Sequence, residues 1–106
     1  MTIIYEKVAN EVVPAIRIKL ANILIDKYSM QEKKVAEILG VAQAAVSKYR
    51  SGKYSEKIKR LEKEIDNELV EKYAKVLFDS GKEKASEAVC TICQAYTSFR
   101  CGLAQK

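Results

Sequence analysis

From the single proline, Pro14, onward, this chain sets its apolar residues at the three- and four-residue spacing of an α-helix, and glycines at 40, 52 and 81 punctuate the pattern. A chain so patterned folds by packing helices on one another, so the expected fold class is all-α. Pro14 suits the first turn of a helix, where its missing N–H costs nothing. Ile16, Leu20, Ile23, Leu24 and Tyr28 follow at helical spacing, which predicts a first helix from about Pro14 to Lys27. Ser29-Met30-Gln31-Glu32 has the form of a capping box and predicts the start of a second helix. That helix presents Val35, Ala36 and Leu39 and stops at Gly40, a residue that tolerates a left-handed exit. Ala42, Ala45, Val46 and Tyr49 form the narrow apolar stripe of a third helix ending near Ser51-Gly52.

From Glu56 onward, Ile58, Leu61, Ile65, Leu69, Tyr73 and Val76 advance at a mean of 3.6 residues. This spacing predicts one long straight helix up to Ser80-Gly81. Ala85, Ala88, Val89, Ile92, Tyr96 and Phe99 mark a last helix, returning antiparallel against it. Met1 to Val13 is apolar without clear period and is assigned no state. The expected organisation is therefore an N-terminal unit, residues 1–54, followed by a C-terminal helical hairpin, residues 55–106.

At 106 residues the chain has the length of one domain, too short for a two-domain enzyme. It contains no histidine, which excludes imidazole bases, histidine-ligated zinc and Ser-His or Cys-His nucleophile pairs. No enzymatic activity is expected. The apolar runs are far below the roughly 20 residues of a membrane span, and the N-terminus does not read as a signal peptide. No membrane partner is expected, and the expected location is cytoplasmic.

The net charge of +5 permits an anionic partner, and its placement narrows the choice. Within residues 43–60, Lys48, Arg50, Lys53, Lys57, Lys59 and Arg60 face a single acid, Glu56. The same region completes a second pattern. Ala36 lets two helices cross closely and Gly40 makes the turn. Val35, Leu39, Val41, Val46 and Tyr49 then fill the small core between the helices, the logic of a helix-turn-helix. If the third helix packs with Val46 and Tyr49, its opposite face presents Gln43, Ala44, Ser47, Lys48 and Arg50. Glutamine pairs with adenine, alanine lies against a thymine methyl, and serine contacts bases or phosphate. Lys48, Arg50, Lys53 and Lys57 suit phosphates, which set register without reading sequence. Tyr28, Tyr49 and Tyr54 read as packing residues.

The spacing of Ala36, Gly40, Val46 and Tyr49 resembles the Cro and phage-repressor type of helix-turn-helix transcriptional regulator, over about Pro14 to Lys53. Over its whole length the chain also resembles small archaeal predicted regulators that pair such a unit with a cysteine-bearing helical tail. The resemblance implies double-stranded DNA as the partner, with Gln43, Ala44 and Ser47 at base-reading positions and the helix Gln43 to Ser51 in the major groove. It further implies transcriptional regulation by a homodimer, with the hairpin as the dimerising part. Two positions depart from the family pattern. Glu32 stands where the family carries a glutamine that touches the DNA backbone, and Ala42 stands where the recognition helix has a Ser or Thr cap.

Cys90, Cys93 and Cys101 are spaced to share one helical face. Three thiolates could hold an iron–sulfur cluster or zinc with one further donor, or link chains through disulfides. The plain alternative is packing, because Cys93 belongs to the apolar stripe with Val89 and Ile92. A competing reading of the whole chain is therefore a cysteine-based metal or redox-sensing protein that uses the helix-turn-helix as scaffold. A third is a protein-binding adaptor, which acidic residues on the third helix would have favoured.

Overall fold

A computed structural model describes residues 8–97. The fold is all-helical, and among the described residues there is no strand. A π-helical turn, Val8–Val12, leads into α1, Val13–Asp26. Then come α2, Glu32–Leu39; α3, Gln43–Ser51; α4, Glu56–Glu64; and α5, Asn67–Ser80. A 3₁₀ turn, Gly81–Lys84, connects α5 to α6, Ala85–Thr97.

α1 is the centre of the molecule and touches each of α2 to α6. Its buried residues, Ala15, Ile16, Ile18, Leu20, Ala21 and Leu24, cover more of its circumference than one stripe would. A helix apolar nearly all round belongs inside other helices. Its polar residues leave through the gaps: Lys19 reaches α4 and donates from Nζ to the Glu62 carbonyl at 2.8 Å. Partial burial pulls the Lys19 ammonium below the ordinary lysine value, and the Glu62 carboxylate works against that shift.

Around α1 one apolar core gathers Val35, Leu39 and Val46 with Leu61, Ile65, Val70, Leu77, Ala88, Ile92 and Cys93. Residues from both sides of position 54 thus share a single interior. No polar or charged side chain is buried among the described residues.

Three local expectations need correction. The capping box does not form: Ser29 takes a left-handed φ of 57° in the exit of α1, and Met30 N–H donates back to the Leu24 carbonyl at 3.1 Å. α2 consequently starts at Glu32, with extended Gln31 before it and no side-chain cap. The long straight helix is also broken. Ile65 is extended, and Asp66 opens α5 by accepting the Glu68 N–H at 2.9 Å. The break lets Ile65 bury in the core while α5 turns a different stripe inward, Val70, Ala74 and Leu77, leaving Leu69, Tyr73 and Val76 half-buried. Ala42, placed on the inner stripe of the third helix, is instead an exposed, extended residue preceding α3. α5 and α6 do pack on each other, as a hairpin requires, although both also pack on α1.

Candidate nucleic-acid interface

α2 and α3 are joined by Gly40-Val41-Ala42. The α2 carbonyls are closed by Gly40 N–H to Glu37 O and Val41 N–H to Ala36 O, at 3.3 and 3.0 Å, with Gly40 at φ 71°. This is a Schellman closure, in which a side chain at the left-handed position adds strain. Gly52 closes α3 in the same manner at φ 75°, with Lys53 N–H donating to Lys48 O at 3.0 Å. Two left-handed glycines thus set where α3 begins and ends. Val46, fully buried, fixes which face it turns inward, and Ala45 and Tyr49 flank it half-buried.

The opposite face of α3 carries Gln43, Ala44, Ser47 and Lys48, all exposed, and the helix contains no acidic residue. Lys53, just past its end, is exposed as well. The structure therefore leaves exposed the three residues expected to read bases and two of the four expected to hold phosphate, with all but Lys53 on α3 itself.

The other two have protein partners. Arg50 grips α1: Nη2 donates to Asp26 Oδ1 at 2.8 Å, and Nη1 donates to Asp26 Oδ2 at 3.2 Å and Asn22 Oδ1 at 3.0 Å. The carboxylate holds the guanidinium proton more firmly than usual. Such a two-pronged pair fixes orientation as well as charge, so Arg50 clamps α3 to α1. Lys57 lies 3.9 Å from Glu11. Neighbouring Lys59 pairs with Glu56 at 3.5 Å and lies over the Tyr54 ring, 5.6 Å from its centroid.

Glu32, at the first position of α2, accepts a hydrogen bond from Ser47 Oγ at 2.8 Å. Sequence reasoning singled out this carboxylate as a departure from the family pattern without foreseeing its partner. It missed Asn22 and Asp26 altogether. Their signal was a polar pair four residues apart near the end of a largely apolar helix.

Tyr28 and Tyr49 take the packing role, whereas Tyr54 is half-buried beside Glu62 and Lys59 and not against the core. Tyr28 stacks on Phe78 with ring centroids 4.6 Å apart, and Tyr49 sits half-buried against the core. Burial, with a hydrogen bond to Glu62, pushes the Tyr54 hydroxyl well above the ordinary tyrosine range.

Cys90 and Cys93 are both buried on α6, and Cys93 is part of the core. Cys101 lies outside the described residues, as does Phe99. Among the described residues no group of three or more His, Cys, Asp or Glu side chains is placed to hold a metal ion, so the expected cluster would depend on Cys101. Also among the described residues, no helix is long and apolar enough to cross a membrane. A scan of protein-family models and searches of curated proteins and of solved structures found no match to this chain.

Proposed function

We propose that this chain is a sequence-specific DNA-binding transcriptional regulator, not an enzyme, with α2, its glycine turn and α3 acting as a helix-turn-helix and α3 entering the major groove. What supports this reading above all is the outward face of α3. Gln43, Ala44, Ser47 and Lys48 stand exposed on a helix without an acid, and its inner face is anchored by Val46 and by the Arg50 clamp. Gln43 pairs with adenine through its amide, Ala44 lies against a thymine methyl, and Lys48 and Lys53 hold phosphates.

The test is binding to duplex DNA selected from a random pool. Gln43→Ala is expected to cost about 1–3 kcal/mol on the selected site and little on unrelated DNA. Equal losses on both would remove Gln43 from base reading.

The active form we propose is a homodimer, since one such unit makes few contacts and two-fold symmetry sets half-sites about 34 Å apart. Leu61 and Ile65, on the apolar stripe of the hairpin expected to dimerise, are buried inside the protomer at 7% and 3% exposure. The apolar surface left for a second copy on α5 is therefore Leu69, Tyr73 and Val76, half-buried on one face of the helix. Light scattering at micromolar concentration decides the oligomeric state, and a monomer there refutes the dimer.

A further inference from the structure

The bond between Ser47 and Glu32 bears on which base α3 selects. A serine hydroxyl has one proton to give and two lone pairs, whereas a carboxylate at neutral pH has only lone pairs. In the 2.8 Å contact the proton therefore comes from Ser47. What Ser47 turns outward is then an oxygen that can only accept.

Three features keep Glu32 in that role. It is half-buried, in the first turn of α2, where the unpaired backbone N–H groups favour a negative charge. The Arg50 guanidinium is within electrostatic reach of it. Arg50 is itself held by Asp26 and Asn22, so the cation that offsets Glu32 is fixed to α1.

We propose that Glu32 is a specificity-determining residue. By taking the Ser47 proton, it makes Ser47 select a base that offers an amino group in the major groove, adenine or cytosine, over guanine or thymine. This rests on the DNA-binding reading above. In the major groove adenine and cytosine present amino donors, while guanine and thymine present only oxygen or nitrogen acceptors beside the thymine methyl. A serine with its proton free serves either class, so without Glu32 the discrimination disappears. The Glu32 charge acts in the same direction, attracting an amino group and repelling a carbonyl or phosphate oxygen.

The experiment is selection of bound duplexes from a random pool by the full-length protein, by Ser47→Ala and by Glu32→Gln. Affinities are then measured with each of the four bases at the position where Ser47→Ala loses preference. The unmodified protein is expected to favour adenine or cytosine there by roughly ten-fold or more. Glu32→Gln, whose amide can donate to Ser47 and free its proton, is expected to reduce that preference to about two-fold or less. Preference at the position read by Gln43 stays.

Guanine or thymine preferred opposite Ser47 overturns the proposal while leaving DNA binding intact, and that result needs no variant of Glu32. So does an unchanged preference in a Glu32→Gln protein with an intact thermal transition, or a Ser47→Ala protein that alters no position. If the unmodified protein enriches no sequence, the DNA-binding reading itself fails and the inference falls with it.

Discussion

Arg50 on α3 and Asp26 on α1 meet through two parallel hydrogen bonds, at 2.8 and 3.2 Å, across 24 residues of chain. This pair converts a residue with the character of a phosphate ligand into one that sets the angle of α3 on the body of the protein. The Asp26 side chain is 64% exposed, so solvent screens the attraction.

Arg50→Ala is accordingly expected to lower stability by about 0.5–1 kcal/mol, and Asp26→Asn to add little once Arg50 is gone. A double-mutant cycle in urea checks this. On DNA, Arg50→Ala should leave the slope of log affinity against log salt unchanged, whereas Lys48→Ala should reduce it by about one. A reduced slope for Arg50→Ala would return that residue to the phosphates.

Because α1 is covered by α5 and α6 as well as by α2 and α3, residues 1–54 are not expected to fold alone. A chain ending at Tyr54 leaves Leu20, Leu24 and their neighbours with part of their cover removed. It should show no cooperative thermal transition and weak helical circular dichroism. A sharp transition would make the N-terminal unit self-sufficient.

Asp66→Ala removes the side chain that accepts the Glu68 N–H at the start of α5. Loss of such a cap costs about 1 kcal/mol, or about 4–8 °C of melting temperature in a domain of this size. Helical content should not rise, because rejoining α4 and α5 would pull Ile65 out of the core. A more stable, more helical variant would show that the break is imposed by Asp66 alone.

Tyr96 donates to Glu64, and chiefly through that bond its hydroxyl is pushed up to about 12. The folded protein thus holds this proton more tightly than the unfolded chain, where tyrosine ionises near pH 10. The resulting stability is complete below about pH 10 and is lost as pH rises from there through about 12. The difference in urea midpoint between the unmodified protein and Tyr96→Phe should therefore be constant from neutral pH to about pH 9.5 and shrink above it. A difference that grew with pH would contradict the bond.

What the sequence determined by itself is whatever depends on neighbours a few residues apart. Helical spacing placed α1, α2, α3 and α6, and Gly40 and Gly52 are at left-handed exits because only local backbone conformation is at stake there. The outward face of α3 was legible for the same reason: once Val46 points in, the helical repeat turns Gln43, Ala44 and Ser47 out. The boundary between α4 and α5 escaped although Asp66-Asn67-Glu68 carries a cap signal, because Ile65 and Leu69 continue the helical period across it. Periodicity reports that residues share a face, not that the backbone between them is unbroken. Which partner each charge takes was decided by tertiary structure alone. Arg50 finds Asp26, Lys27 finds Glu71 44 residues away, and Ser47 finds Glu32 across a turn. Long polar side chains pair with whatever folding brings within about 3 Å, and in a bundle wrapped around one central helix those neighbours come from distant parts of the chain.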